Sequence, residues 1–179
     1  MPLKRQPIAD EDEVRSLVDR LVDEIGRKDR RVKDLAFVGI RRRGVPLAYR
    51  LAESLGRKRG DAIPVGAIDI TLYRDDLQLV AETPVVRGSE IGFDINARTI
   101  VLVDDVIYTG RTVRAALTEL LDFGRPRCIQ LAILIDRGHR ELPIEPNFVG
   151  KKTKTRRDDL VDICLVEEDG RDGVVLTRR

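Results

Sequence analysis

The sequence predicts an α/β fold with a mainly parallel central sheet flanked by helices. Short, continuously apolar runs have the length of strands buried on both faces, and they alternate with longer segments of helical period. The order strand, helix, strand, strand, helix, strand favours parallel pairing, because helices supply the crossovers that parallel strands need. No internal repeat or low-complexity linker interrupts the chain, so residues 1–179 are expected to form a single domain.

The first predicted element is an amphipathic helix over residues 10–27. Its apolar residues, from Val14 to Ile25, recur at steps of three and four with charged residues between them. Asp10 is the expected N-cap, and Glu13, three residues later, completes a capping box.

A buried strand is predicted next, at residues 35–40, where the run LAFVGI is apolar throughout. The helix that follows it spans about residues 46–57. Residues 65–73 alternate in polarity and predict another strand, whereas the segment from there to Ser89 has little helical period.

In the second half of the chain, buried strands are predicted at residues 99–103 and 128–135, with an amphipathic helix at residues 112–123 between them. Cys128 and Cys164 lie in apolar, strand-like segments without a Cys or His at metal-ligand spacing. Both are therefore expected to be buried thiols rather than metal ligands.

The composition excludes a disordered chain and predicts no membrane span. Hydrophobic residues make up 42% of the chain and charged residues 36%, and no apolar run approaches the roughly 18 residues of a span. The first residues lack the apolar core of a secretory signal, and we expect a cytoplasmic protein. The net charge is only +2, but basic residues cluster at 27–31, 41–43 and 151–157, where they either bind polyanions or form solvated surface.

The most informative stretch is VLVDDVIYTGRT, residues 101–112. A buried strand brings Asp104 and Asp105 to the carboxyl edge of the sheet, where open parallel sheets bind their ligands. A turn with Gly110 then leads into a helix, whose free N–H groups and dipole favour a phosphate. Thr109 and Thr112 add hydroxyl donors.

Two adjacent acids can accept hydrogen bonds from the 2′- and 3′-hydroxyls of a ribose. The stretch therefore predicts a cradle for a phosphorylated ribose, with Asp104 and Asp105 on the sugar and the turn on the 5′-phosphate. It is not a Walker P-loop, since no Gly-Lys-Ser/Thr follows, and it lacks the GxGxxG of a dinucleotide site.

This stretch resembles the phosphoribosyl pyrophosphate motif of type I phosphoribosyltransferases. The similarity extends to residues 38–44, 70–77, 136–144 and 148–151, and covers nearly the whole chain. With these segments the chain resembles the bacterial pyrimidine operon regulatory family, whose members are also uracil phosphoribosyltransferases. The resemblance implies a type I phosphoribosyltransferase fold, in which a small hood accompanies the central sheet.

The resemblance also implies roles for individual residues. Asp136 and Arg137 fall where the hood recognises the base, and residues 73–89 resemble a mobile loop, in which Arg74 joins Asp104 and Asp105 as a catalytic residue. The remaining residues expected to bind phosphoribosyl pyrophosphate or UMP are Arg41, Arg42, Arg43 and Gly44, which resemble the pyrophosphate loop, and Val106, Ile107, Tyr108, Thr109, Gly110, Arg111 and Thr112.

The reaction implied is uracil plus phosphoribosyl pyrophosphate giving UMP and pyrophosphate. Mg²⁺ is expected on the pyrophosphate, carried by the substrate, with no metal site made by the protein alone. Arginines suit the highly charged leaving group through their permanent charge and bidentate binding, although a solvated turn is the alternative for Arg41–Arg43. A phosphoribosyltransferase for another base, such as a purine salvage enzyme without an RNA-binding role, is the alternative function.

The family resemblance implies a second activity, binding to a stem-loop in the leader of pyrimidine mRNA, promoted by UMP or UTP. Arg20, Lys28, His139 and Lys151 occupy positions like the family's RNA-contacting residues, and for His139 a structural hydrogen bond is an equal alternative. The chain departs from the family's pattern at Asp19 and Asp23, which add negative charge, and at residues 152–156, which add positive charge. Relatives are dimers or larger, so a homo-oligomer is expected.

Overall fold

The computed structural model describes residues 4–71 and 88–178. These ranges contain eight strands, four α-helices and one 3₁₀ turn. They are β1 (Lys4–Ala9), α1 (Glu11–Lys28), a 3₁₀ turn (Val32–Asp34), β2 (Leu35–Ile40), α2 (Gly44–Arg59), β3 (Val65–Ile68), β4 (Thr99–Ile107), α3 (Arg111–Asp122), β5 (Cys128–Asp136), β6 (Phe148–Lys152), β7 (Leu160–Cys164), α4 (Val166–Asp169) and β8 (Gly173–Arg178).

The main sheet has five strands in the order β3-β2-β4-β5-β6, and every adjacent pair is parallel. Side chains of its central strands alternate between two apolar cores. Phe37 and Val101 point to the core shared with α1 and α2, whereas Val38 and Leu102 point to the core shared with α3. The predicted α/β fold with a parallel sheet flanked by helices is thus confirmed.

A second, smaller sheet joins the two ends of the chain. Its order is β1-β8-β7, with both pairs antiparallel, and Gln6 faces Leu176 across the first pair. Ala9, Ile163 and Val174 attach this sheet to the core that α1 and α2 share with the main sheet. It is the small unit outside the main sheet that corresponds to the expected hood, although its strands were not predicted individually.

The predicted bounds of the first helix agree with the structure. Glu13 N donates to Asp10 Oδ1 at 2.9 Å and Asp10 N donates to Glu13 Oε2 at 3.2 Å, so both bonds of the capping box are present. Helix α2 begins two residues earlier than predicted, at Gly44, and ends two residues later, at Arg59.

Two strands have different lengths from those predicted. β4 continues to Ile107 because its pairing with β5 extends through Asp104↔Ile133 and Val106↔Ile135. β3 ends at Ile68, and of the predicted strand over residues 65–73 the last two residues lie outside the described ranges.

The expectation that both cysteines are buried is wrong. Cys128 is exposed and Cys164 is partly exposed. Cys128 is the first residue of β5, at the open end of the sheet, where neither core covers it. Cys164 ends β7 in the small sheet, whose strands are buried on one face only.

No helix in the described ranges is both long and apolar enough to cross a bilayer. That residues 1–179 form one domain stays a prediction.

Candidate active site

The acid pair stands within the last residues of β4 rather than beyond its end. Asp104 is buried and Asp105 is partly buried. Each carboxylate accepts a backbone N–H from the next residue: Asp105 N donates to Asp104 Oδ1 at 2.9 Å, and Val106 N donates to Asp105 Oδ1 at 2.7 Å. These bonds fix one oxygen of each side chain.

Burial is the main influence on the charge of this pair. It raises the pKa of Asp104 well above the usual value, and the neighbouring charge of Asp105 raises it further. Burial also raises the pKa of Asp105, although its hydrogen bonds and the positive charge of Arg43 oppose the shift. The site therefore holds two carboxylates in an environment that disfavours their negative charge, which is typical of functional carboxylates.

The arginine loop, Arg41–Gly44, connects β2 to α2 beside the acid pair. Gly44 begins α2 so close to β4 that a Cβ on it would lie 2.4 Å from the carbonyl oxygen of Val103. The peptide bond between Arg41 and Arg42 is cis. Arg41 N donates to the carbonyl of Ile68, which ties the loop to the neighbouring strand β3.

The loop and the acid pair enclose one cavity of about 530 Å³ at the carboxyl edge of the main sheet. This is the edge at which parallel α/β sheets bind ligands. The residues that line the cavity come from the ends of β2, β3 and β4 and from the start of α3. They are Ile40, Arg41, Arg42, Arg43, Asp69, Ile70, Thr71, Asp104, Asp105, Val106 and Thr112.

The turn before α3 has the form expected of a phosphate-binding turn. Gly110 has φ +92°, a left-handed conformation that L side chains rarely adopt. It precedes α3, whose first N–H groups have no partner within the helix. Thr109 supplies the carbonyl that accepts from Glu141 N at 2.9 Å and Leu142 N at 3.1 Å, so the segment after β5 braces the turn.

Three residues of the expected phosphate-binding stretch make other contacts with their side chains. Ile107 is buried in the apolar core beside α3 and can offer a ligand only its backbone. Tyr108 donates its hydroxyl to the carbonyl of Arg157 at 3.1 Å. Arg111 Nε pairs with Glu141 at 2.9 Å, half exposed at the outer side of the turn.

Asp136 ends β5 beside Ile107, so the expected base-binding residues adjoin the turn. Burial opposes the charged form of Asp136, but hydrogen bonds from Arg140 and Gly138 outweigh it and lower the pKa. Both carboxylate oxygens are thereby occupied, Oδ2 by Arg140 Nη2 at 2.8 Å and Oδ1 by Gly138 N at 2.9 Å.

Arg137 is also held by the protein. Its guanidinium carbon lies 4.2 Å from the ring centroid of Tyr108, and Nη2 donates to the carbonyl of Arg156 at 2.9 Å. Its buried Nε has no hydrogen-bond partner in the described structure. Arg137 thus packs against Tyr108 of the turn, and its Nε–H is the donor without a partner among the described residues.

Sequence reasoning missed Asp69 and Thr71, which line the cavity next to the arginine loop. Asp69 is buried, and its Oδ1 accepts from both N and Oγ1 of Thr71, at 3.0 and 2.5 Å. The signal for them was present: Asp69 follows β3, and β3 is the parallel neighbour of β2, so the two strands end at the same edge.

Arg74 and most of the expected mobile loop, residues 73–87, lie outside the described residues. The described end of that segment reaches the margin of the cavity. Gly88 N donates to Asp69 Oδ2 at 3.1 Å, Arg41 Nε donates to the Gly88 carbonyl at 3.0 Å, and Ser89 Oγ donates to Glu119 at 2.8 Å.

The four residues expected to contact RNA follow the line of β6, away from the cavity. Lys28 Nζ lies 5.2 Å from the ring centroid of Phe148 at the start of β6, and Lys151 Nζ donates to the Ile8 carbonyl at 2.7 Å near its end. Arg20 is exposed on α1, the helix that packs along β6.

His139 belongs to the segment between β5 and β6 and contacts Thr155, which follows β6. Its Nε2 is 2.8 Å from the carbonyl oxygen of Thr155, which makes Nε2 the donor, and its ring meets Tyr108 edge to face at 5.8 Å. The structure therefore shows the structural hydrogen bond that was one of the two alternatives for His139.

In residues 4–71 and 88–178, no group of three or more His, Cys, Asp or Glu side chains is placed to hold a metal ion.

Comparison with known proteins relates the sequence of this chain to one family. A family model described as "Phosphoribosyl transferase domain" matches residues 6–161. Bifunctional protein PyrR of Roseiflexus sp. (strain RS-1) is 55% identical over 172 residues, which are 96% of this chain and 94% of the relative. Bifunctional protein PyrR of Acetivibrio thermocellus is 51% identical over 168 residues, 94% of this chain and 91% of the relative.

Solved structures agree on the fold. A hypoxanthine phosphoribosyl transferase of Trypanosoma cruzi superposes with a TM-score of 0.74 at 15% identity, covering 99% of this chain and 93% of its own. A purine phosphoribosyltransferase from Pyrococcus horikoshii superposes with a TM-score of 0.58 at 25% identity, covering 79% and 83%.

Proposed function

Since the chain belongs to the PyrR group of the phosphoribosyltransferase family, we propose that it transfers a phosphoribosyl group to uracil and binds pyrimidine mRNA leaders under the control of uridine nucleotides. The observation that carries the first activity is the cavity that Asp104 and Asp105 share with the arginine loop, next to the start of α3. A phosphorylated ribose with a pyrophosphate group presents the two hydroxyls and the charged groups that this arrangement complements.

In this proposal the acid pair accepts hydrogen bonds from the ribose hydroxyls, and the turn from Thr109 to Thr112 holds the 5′-phosphate. Burial of the acids strengthens their hydrogen bonds to the sugar, because the local dielectric is low. The two anchors fix the ribose at both ends. The protein then contributes mainly orientation of the reacting carbon relative to the base.

The arginine loop faces the pyrophosphate that leaves. Mg²⁺ binds through one or two carboxylates together with substrate phosphates, so Asp104 or Asp105 at the cavity would hold an ion that phosphoribosyl pyrophosphate carries in. When bound, the ion neutralises charge on the leaving pyrophosphate. The permanent charges of Arg41, Arg42 and Arg43 stabilise the same charge from the side of the protein.

The base enters between the turn and the segment after β5, where Asp136 and Arg137 stand. The Asp136 carboxylate is occupied by Arg140 and Gly138, so it orders the backbone of this segment, and backbone groups of the segment contact the base. The relatives named PyrR, at 55% and 51% identity, favour uracil over a purine.

The test of the enzymatic proposal is an assay of purified protein with uracil, hypoxanthine and orotate in parallel. We expect UMP from uracil and no nucleotide from the other two, whereas preference for hypoxanthine would support the purine alternative. The double variant Asp104→Asn, Asp105→Asn is expected to lose UMP synthesis. Asp122→Asn, an exposed acid at the far end of α3, is the matched control and is expected to keep it.

The RNA-binding proposal places a leader stem-loop along α1 and β6. Arg20, Lys28 and Lys151 supply positive charge there, and phosphate contacts of this kind give affinity that falls steeply with salt. In this proposal the base of UMP contacts the segment after β5, and His139 connects that segment to Thr155 just beyond β6. This connection supports coupling between nucleotide and RNA.

A gel-shift titration of pyrimidine leader RNA with and without UMP tests this second activity. We expect tighter binding with UMP and a steep loss of affinity between low and moderate salt. An affinity that does not respond to UMP would contradict nucleotide control. RNA binding also implies a cytoplasmic protein. A homo-oligomer, as expected from the family resemblance, would extend the basic surface. Sedimentation measures the oligomeric state.

A further inference from the structure

The acidic segment of the C-terminal region, residues 167–172, is attached to the first half of α2. Arg50 is its anchor: the guanidinium pairs with Glu167 at 2.6 Å and with Asp172 at 2.6 Å, and both pairs are bidentate. Asp172 also accepts from Val166 N at 2.8 Å. The position of the acidic segment relative to the arginine loop is therefore set by a partly buried ion-pair network.

From this anchor, Asp169 reaches Arg43 of the arginine loop. Arg43 Nε and Nη2 donate to the two carboxylate oxygens at 3.0 and 2.8 Å, a bidentate pair. The side chains are 30% and 21% exposed, so solvent weakens this pair less than it weakens a surface ion pair. Leu165 N donates to the same carboxylate at 2.9 Å, which fixes the orientation of Asp169.

Unlike Asp169, the acid pair Asp104 and Asp105 forms no ion pair with an arginine or lysine in the described part of the chain. Within the described residues, the N–H groups that donate to Asp104 and Asp105 belong to the backbone rather than to a basic side chain. Arg43 lines the same cavity as the acid pair and, besides being held by Asp169, its positive charge opposes the rise in the pKa of Asp105 that burial causes. A buried carboxylate gains more from a cation than an exposed one does, since burial removes the competing water.

We propose that Asp169 is a positioning residue that holds Arg43 away from Asp105 and so keeps the acid pair open for the ribose hydroxyls. This inference rests on the proposed function, in which the acids accept those hydroxyls. If Asp169 released Arg43, the guanidinium would close on Asp105 and occupy the oxygens that the sugar needs. A neutral hydroxyl competes poorly against a guanidinium for a carboxylate, because the charge-assisted bond is the stronger one.

The test measures the dissociation constant of phosphoribosyl pyrophosphate with Mg²⁺ by calorimetry, without uracil, in four proteins: wild type, Asp169→Asn, Arg43→Gln and the double variant. Asp169→Asn is expected to weaken binding about tenfold, equivalent to about 1.4 kcal/mol. In the Arg43→Gln background the same change is expected to have less than a twofold effect, because no guanidinium remains to close on Asp105.

Equal weakening by Asp169→Asn in both backgrounds would overturn the proposal, as would no weakening in either. In steady-state assays the substitution should raise KM for phosphoribosyl pyrophosphate and change kcat less than twofold. The asparagine side chain retains an oxygen that can accept from Leu165 N, so the fold is expected to survive. Asp169→Ser keeps an acceptor as well and serves as the second variant.

Glu168→Gln is the matched control within the same segment. Glu168 pairs with Arg42 at 3.0 Å, but the Arg42 side chain is 54% exposed, so solvent weakens this pair more than it weakens the pair of Asp169 with Arg43. We expect less than a twofold change in binding, and a tenfold change would overturn the specific role of Asp169. If wild type bound phosphoribosyl pyrophosphate but did not convert uracil, the proposed function would be contradicted. The binding constants of the four proteins would still test the role of Asp169.

Discussion

Gly44 of the arginine loop packs directly against Val103 in the strand that bears the acid pair. A Cβ on Gly44 would lie 2.4 Å from the Val103 carbonyl oxygen and 3.3 Å from the Cα of Asp104. Both neighbours are backbone atoms of β4, a central strand that pairs with β2 and β5, and such backbone cannot shift cheaply. Gly44, the last residue of the arginine loop, therefore sets how closely the loop packs against the strand that bears the acid pair.

We therefore expect Gly44→Ala to destabilise the protein and to weaken binding of phosphoribosyl pyrophosphate. Overpacking against rigid backbone costs about 1–3 kcal/mol. Thermal denaturation should show a lower midpoint, and calorimetry a higher dissociation constant. Gly92→Ala is the control, because a Cβ on Gly92 meets nothing within 4 Å and its φ is not positive. A Gly44→Ala protein with an unchanged thermal midpoint and an unchanged dissociation constant would contradict the steric reasoning.

The elements that could be predicted from the sequence are those whose signal is local. Asp10 and Glu13 sit three residues apart in one capping box, and each central strand is a continuous apolar run. The small sheet could not be predicted in this way, because β1 pairs with β8 from the opposite end of the chain. Its strands are short and half exposed, so neither their length nor their pattern distinguishes them from loops.

The same limit applies to the site. Asp104 and Asp105 could be predicted because they are adjacent to each other and to the turn in the sequence. The partner of Arg43 is 126 residues away, and only the folded chain brings Asp169 to it. Cys128 was placed wrongly because an apolar run does not reveal which of its residues stands at the open end of the sheet.

Asp104→Asn is expected to raise stability while it abolishes transfer. Burial and the charge of Asp105 raise the pKa of Asp104 in the folded protein, so above the unfolded value the folded chain binds more protons and its stability falls as pH rises. Asparagine removes the buried charge. Denaturation at pH 8 should show a midpoint above that of wild type, by roughly 2–4 °C for each kcal/mol gained in a chain of this size.

The gain should shrink toward pH 4, where the wild-type carboxyl is protonated and resembles asparagine in charge. A gain that is the same at pH 8 and pH 4 would show that packing, rather than charge, separates the two side chains.

The ion pair of Asp169 and Arg43 predicts a second, opposite pH dependence. Hydrogen bonds from Arg43 and from Leu165 N lower the pKa of Asp169 from 3.8 to about 2. A lowered folded pKa means stability that is present above the unfolded value and lost as pH falls through the folded one. We therefore expect urea denaturation from pH 5 to pH 2 to show a smaller loss of stability for Asp169→Asn than for wild type.

Asp122→Asn is the control for this series, since Asp122 is exposed and forms no ion pair within the described ranges. Its loss of stability from pH 5 to pH 2 should follow that of wild type. Parallel curves for wild type and Asp169→Asn would show that the pair with Arg43 contributes nothing to stability in this window.

Variants of Arg20 and Lys151 distinguish RNA contact from structural support on the proposed RNA surface. Arg20 is exposed and makes no hydrogen bond or ion pair within residues 4–71 and 88–178. Lys151 donates to the Ile8 carbonyl at 2.7 Å and lies 3.7 Å from Glu13, so it also ties β6 to the start of α1. Arg20→Gln should weaken leader RNA binding and leave the thermal midpoint unchanged, whereas Lys151→Gln should lower both.

Each lost phosphate contact should reduce the slope of log affinity against log salt by about 1. Arg57→Gln is the control, because Arg57 is exposed on α2, away from β6, and pairs only weakly with Glu53 at 3.5 Å. Its slope should equal that of wild type. If Arg57→Gln and Arg20→Gln lowered the slope equally, the protein would attract RNA through its overall charge, and the line along α1 and β6 would not be the binding surface.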